Sequence, residues 1–289
     1  MGVGTIEQVP PAPGARPRRP LVIVHVMKTG GFSLLYQVMA NVSRKAIWGV
    51  TGPDVGDDVQ MSRYTSVELL QALDADARST IEVVMGHLPF AVVDVAGFSR
   101  GTVATIVREP VARTVSFLSM CQASYPEHRH LSLEQIYEDE FFGPRLIRNH
   151  QTKMLGMTVA QATIPPPKPI GPPHPALVET LIAEGYFDTA RCVFEALDTP
   201  LAWLVTVDES TLDRARRNLD RVDVLGVHDR YDEFLARLGG RMGWTFDRDI
   251  RVNRSASVPV SASFRRHIEE DNGLDVELYE HARQLVRGA

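Results

Sequence analysis

Residues 21–35 read LVIVHVMKTGGFSLL. A short apolar, β-branched run meets Lys-Thr-Gly-Gly and passes at once into a helical pattern. LVIVHV has the length and branching of a buried strand. SLLYQVMANVSR, beginning at Ser33, sets Leu34, Leu35, Val38, Met39 and Val42 on one helical face. The first amides of a helix lack internal partners, and the helix dipole adds partial positive charge there. A strand, a glycine turn and a helix start therefore make a cradle for an anion. Gly30 and Gly31 let the backbone approach closely, Ser33 is placed to cap the helix or donate to a phosphate oxygen, and Lys28 brings a full charge. By itself the segment leaves a second reading open, a plain strand-to-helix turn with a solvated lysine.

The pattern repeats outward. IEVVMGH (81–87) and TVATIVREP (102–110) are two further buried strands, the second ending at Pro110, where VARTVSFLSMCQA continues as a helix. LSLEQIYEDE and DESTLDRARRNLDRV are helical, DVLGV is a strand, and YDEFLARLGGRMGW is a helix stopped by Gly239 or Gly243. SASFRRHIEEDNGLDVELYEHARQLV forms two helices broken near Asn272 and Gly273. Continuous apolar strands alternating with helices predict an α/β fold with a mostly parallel central sheet flanked by helices. IPPPKPIGPPHP (164–175) is a stiff loop, followed by a helix in ALVETLIAEGYF. Residues 1–20 are rich in Pro, Gly and Arg and read as a disordered tail, and no internal linker divides residues 21–289, so one domain is expected.

The 289 residues are 44% hydrophobic and 23% charged, ordinary values for a soluble chain. A net charge of −5 argues against a broad nucleic-acid surface. Two distant cysteines, Cys121 and Cys192, suggest a reducing compartment. No apolar run approaches the ~20 residues of a membrane span, and the first residues lack a signal-type apolar stretch. A cytoplasmic protein is expected.

The ATP-type P-loop fits poorly, because its lysine follows the glycines whereas Lys28 precedes them. The segment TIVREPVARTVSFL adds Arg108 at a strand end and Ser116 about two helical turns on. Arg108 can clamp a phosphate in bidentate fashion, with the Ser116 hydroxyl as a further donor. Each also has a structural reading, and Arg113 reads as a surface or structural charge.

VHVMKTGGFSL resembles the 5′-phosphosulfate loop of PAPS-dependent sulfotransferases, most of all the carbohydrate enzymes related to heparan sulfate 2-O-sulfotransferase, with their pattern H-x-P-K-T-G-G-T-S. VREPVARTVSFL resembles that family's 3′-phosphate segment, R-D-P-x-x-R-x-x-S. The likeness extends through RNHQTKMLG, VDVLGVHDRYDEFLARLGGRMGW and DVELYEHA. Three positions depart from it: Met27 stands for the proline, Phe32 for a threonine, and Glu109 for an aspartate. The resemblance implies a P-loop-like sulfotransferase fold and PAPS (3′-phosphoadenosine 5′-phosphosulfate) as sulfuryl donor. Lys28, Thr29, Gly30, Gly31, Phe32 and Ser33 would then hold the 5′-phosphate, and Arg108 and Ser116 the 3′-phosphate. Arg254 and Ser255, in VNRSAS, would sit in a loop closing over the nucleotide. His87, in a Gly-His pair after a strand, becomes the general base, assisted by Lys28 at the leaving oxygen. His25, read as inside the first strand, and His150 are the competing histidines, and Gln151, Thr152 and Lys153 are expected to border the acceptor cleft. The acceptor is expected to be a hydroxyl of a small glycoside, glycolipid, lipid alcohol or natural-product intermediate. A nucleotide kinase or NTPase with an irregular loop, and a non-catalytic nucleotide-binding scaffold, are the rival readings.

Overall fold

The computed structural model describes residues 20–48, 50–51, 60–61, 67–94, 98, 101–124, 128–138, 147–162, 205–247, 250 and 258–288. The expected tail, the proline loop with the helix after it, Cys192, and the loop carrying Arg254 and Ser255 lie outside them. The strands are β1 (Leu21–Val24), β2 (Ile47–Trp48), β3 (Val50–Thr51), β4 (Gln60–Met61), β5 (Val83–Gly86), β6 (Thr102–Val107) and β7 (Val224–Val227). The helices are α1 (Gly31–Met39), α2 (Val67–Gln71), α3 (Ala75–Ser79), α4 (Pro110–Ser124), α5 (Leu133–Tyr137), α6 (His150–Gly156), α7 (Val159–Ala162), α8 (Glu209–Leu219), α9 (Tyr231–Met242), α10 (Ala262–Asp271) and α11 (Gly273–Gly288).

The fold is α/β. Five parallel strands run in the order β2-β5-β1-β6-β7. Every residue of β1 is buried, which explains its unbroken apolar run. Alternate side chains leave it in opposite directions. Leu21 and Ile23 pack with Leu34, Leu35 and Val38 of α1 and with Phe234, Leu235 and Leu238 of α9. Val22 and Val24 pack on the other face with Met154 and Leu155 of α6, Leu212 and Ala215 of α8, and Leu278 and Ala282 of α11. A third apolar group joins α4, α5 and α10 and takes in Met27.

Chain order and spatial order together locate a crevice. From β1 the chain runs through α1 to the β2 edge; from β6 it runs the other way to β7. β1 and β6 are neighbours, so their outgoing segments part between them, the arrangement in which open α/β sheets bind ligands at the carboxyl edge.

Several elements begin as their sequences direct. Pro110 opens α4 as its first residue, where a missing N–H costs nothing. Asp208 and Ser132 form capping boxes with Thr211 and Gln135. α9 ends at Gly243, which is left-handed at φ 68, and Gly239 lies inside the helix. The first helix differs from expectation, since it starts at Gly31 and its N-cap is Gly30, with no side-chain cap.

α6 is short, yet all seven of its residues are buried. Its first turn is held by the carboxylate of Asp275, which accepts from Gln151 N (3.1 Å), Thr152 N (2.7 Å) and Thr152 Oγ1 (2.8 Å). Asn149, left-handed at φ 49, closes the junction: its N–H donates to Asn272 Oδ1 (2.9 Å), and its Oδ1 accepts from Asp275 N (3.1 Å). No helix among the described residues is long and apolar enough to cross a membrane.

Asp275→Ala strips two buried amides and a hydroxyl of their acceptor at once. It is expected to lower the unfolding free energy by about 3 kcal/mol in urea titration. A loss below about 1 kcal/mol would mean that α6 is secured without this carboxylate.

Candidate functional site

The turn after β1 is shaped from within. Lys28 is left-handed at φ 70 and Gly30 at φ 99; the first is a strained state for a side-chain-bearing residue, the second an ordinary one for glycine. The Thr29 hydroxyl is buried and donates to Val26 O at 2.7 Å. Its proton holds the turn. Met27, where the resembling pattern has proline, anchors the turn in the α4–α10 group. Leu34 N donates to Gly30 O at 3.2 Å, the first bond of α1, so the amides of Gly31 and Phe32 precede the helix's own hydrogen-bond ladder. Phe32 packs its ring against the α1–α9 layer and contributes only its amide. Ser33, expected as a cap, is buried at the third helical position.

One strand across, Arg108 is the first residue beyond β6. Its Nη1 donates to Lys28 O at 3.0 Å, joining the two basic turns. Glu109 caps α4, accepting from Val111 N (3.1 Å) and Ala112 N (2.7 Å). Lys28 is held below the usual lysine range by burial first and then by the Arg108 guanidinium, with Arg113 adding to it against the opposing influence of Cys121. Burial also lowers Arg108. Cations that repel one another in a half-buried place form a site an anion would relieve. Arg113 is structural, fully buried, with Nη2 donating to Ile147 O at 2.8 Å. Ser116 lies half-buried on α4, eight residues past Arg108.

Three histidines gather at the same edge. Val24 pairs with Gly86, so His25 and His87 emerge side by side, with ring centroids 5.0 Å apart. His25 lies just past the strand, not inside it. A β-carbon on Gly31 would fall 2.1 Å from its ring, so only glycine lets the ring lie against the start of α1. Burial first, then His87 and Lys28, keep His25 neutral, well below the usual histidine range. His87 is the more exposed of the two. His150 opens α6, buried, and is pushed far down by burial, then by Arg113 and Lys153, and then by His87 and His25. Its Nδ1 has no hydrogen-bond partner.

The neighbours of His150, expected to border an acceptor cleft, are Gln151, Thr152 and Lys153, and all three are buried. Gln151 grips the main chain of Arg108: its Oε1 accepts from Arg108 N at 2.9 Å and its Nε2 donates to Arg108 O at 2.8 Å. Burial lowers Lys153 to about 8, against Asp275.

Sequence reasoning missed His228 and Tyr231. A β-carbon on Gly30 would lie 3.2 Å from the Tyr231 ring and 3.5 Å from the His228 ring, so both flank the glycine turn. The signal was present, since His228 follows β7 directly, as His87 follows β5.

No protein-family model matches the chain, and no curated protein does.

The two neutral histidines set a pH dependence. Their folded pKa values lie below the unfolded value of about 6.5, so their contribution is complete above that pH and is lost as pH falls from there toward the folded values. Each steepens the loss by up to about 1.4 kcal/mol per pH unit. Wild type is expected to lose its stability margin over His25→Asn progressively as pH falls below about 6.5 in thermal melts. A constant margin would show that the folded state protonates His25 freely.

Proposed function

We propose that the chain is a PAPS-dependent sulfotransferase acting on the hydroxyl of a small glycoside, glycolipid, lipid alcohol or natural-product acceptor. One observation carries this reading: the hydrogen bond from Arg108 to the carbonyl of Lys28, which unites two basic turns at the carboxyl ends of adjacent strands β1 and β6. The residues present fit a ligand with phosphates at two points. The start of α1, with the amides of Gly31 and Phe32, and the Lys28 ammonium suit one group, and the Arg108 guanidinium suits the other.

In this reading Lys28 and the amides of Gly31 and Phe32 bind the 5′-phosphate and take up the charge that grows on its bridging oxygen. Arg108, with Ser116 farther along α4, binds the 3′-phosphate. PAPS, once bound, supplies the sulfuryl group. His87 accepts the acceptor's hydroxyl proton on an imidazole nitrogen, favoured over His25 because it is the less buried of the paired rings. His25 supports it from behind, wedged against Gly31. The resemblance in the two basic segments selects PAPS among nucleotides.

Calorimetric titration with PAP, the desulfated product, beside ADP and Mg-ATP tests the reading. PAP is expected to bind at micromolar concentration and ADP far more weakly, with Arg108→Ala removing the preference. His87→Ala is expected to keep PAP affinity while turnover drops about 10²–10⁴-fold. Mg-ATP binding without PAP binding would overturn the assignment in favour of a kinase, and PAP binding with no turnover on any acceptor would favour a scaffold.

A further inference from the structure

Arg108 occupies an exposed position in the logic of the sheet. β6 ends at Val107, paired there with Val227 of β7, and the β1 register ends at Val24 opposite Thr105. Beyond Arg108, Glu109 is committed to capping α4. Arg108 is thus the single joint between a ladder and a helix, and its rotation about φ and ψ decides where its guanidinium goes. A main-chain N–H and C=O at such a joint require partners.

Both partners come from one side chain. Gln151 is almost fully buried, and its amide meets the N–H and C=O of Arg108 at 2.9 and 2.8 Å, as a neighbouring strand would. A carboxamide offers a donor and an acceptor side by side without a change of protonation state. The glutamine is itself fixed, because its backbone N–H donates to Asp275 Oδ2 at 3.1 Å, and Thr152 ties the same carboxylate to the same turn. With its main chain held, Arg108 directs Nη1 onto Lys28 O.

We propose that Gln151 is the positioning residue of this anion site: by pairing with the main chain of Arg108 it aims the guanidinium, and Asp275 anchors it through α6. The C-terminal helix α11, which supplies Asp275, thereby sets the geometry of a site formed between β1 and β6. The ligand part of this assignment rests on the nucleotide reading above; the backbone part does not.

The test compares wild type with Gln151→Met, which keeps the length of the side chain and removes both hydrogen bonds. Affinities for PAP and ADP are measured by calorimetry, and the Arg108 amide is followed by hydrogen exchange in the ligand-free chain. The variant is expected to lose at least about tenfold in PAP affinity while ADP affinity holds, so that selectivity falls and not merely stability. Its Arg108 amide is expected to exchange at least about tenfold faster, against one in wild type that exchanges as slowly as the β6 ladder. An unchanged PAP-to-ADP ratio would overturn the positioning role and leave the nucleotide reading standing. If wild type binds neither nucleotide, the nucleotide reading falls, and the amide decides: protection lost in the variant upholds the role of Gln151, protection retained overturns it. If the variant does not fold, rapid exchange at Arg108 in wild type overturns the proposal and slow exchange upholds it.

Discussion

The parallel pairing of β1 between β5 and β6 governs where everything else can lie. β1 has four residues, all buried, and its last residue is matched to Gly86 on one side and Thr105 on the other. The Thr105 hydroxyl donates to Val24 O at 2.7 Å and closes off the strand's final carbonyl. β1 and β5 thus end level, while β6 and β7 run two residues farther. The residues that follow them, His25, His87, Arg108 and His228, gather at this edge whatever the loops do afterwards. The edge is rich in basic groups because four separate strand ends each deliver one or more. The apolar cost of misplacing this strand is large, since its side chains feed two different cores.

Irregular segments at such an edge need their polar groups satisfied without a sheet to satisfy them. The chain solves this twice with a buried glutamine. Gln151 of α6 pairs with both main-chain groups of Arg108. Gln37 of α1 does the same for Asp247, whose N–H it accepts at 2.9 Å and whose carbonyl takes its amide proton. Asn41, just past the end of α1, pairs likewise with Thr245, at 3.2 and 3.0 Å. Helices therefore serve as surrogate strands for extended chain, and the segment after α9 is tied to the very helix whose first amides face the candidate anion site. Precision in a loop comes here from rigid elements behind it.

What was legible in the sequence follows from this division. The strands β1, β5, β6 and β7 announced themselves because both faces are buried, so the run of apolar residues is unbroken. The start of α4 at Pro110 and the break between α10 and α11 near Asn272 were legible, and the end of α9 was narrowed to Gly239 or Gly243, of which Gly243 is the stop. β2 was not, because two residues carry no periodicity, and α6 was not, because HQTKMLG shows a polar pattern while lying wholly inside. Its polar side chains bond to the backbone and carboxylates of other segments, a relation that hydropathy does not encode. For the same reason Thr29 and Ser33 could be picked as hydroxyl-bearing residues beside a glycine turn, whereas the partner each hydroxyl takes depended on the fold. Lys28, Arg108 and His87 were legible because each stands at the boundary where an apolar run stops.

The electrostatics of the edge unite its two kinds of basic group. Burial first, and then the Arg108 and Arg113 guanidiniums, hold Lys28 below the usual lysine range, while guanidinium groups stay charged across the physiological range. The imidazoles are the weaker bases, and they yield first. Burial leads and the neighbouring cations add to it, so that His25 and His150 stay neutral. Fixed positive charge at this edge thereby helps to keep the His25 and His150 rings unprotonated, which is the state in which an imidazole accepts a proton. Fixed charge and neutral rings coexist here because they fall to different residue types: Lys28 adds to the burial that keeps His25 neutral, and Arg113 and Lys153 do the same for His150.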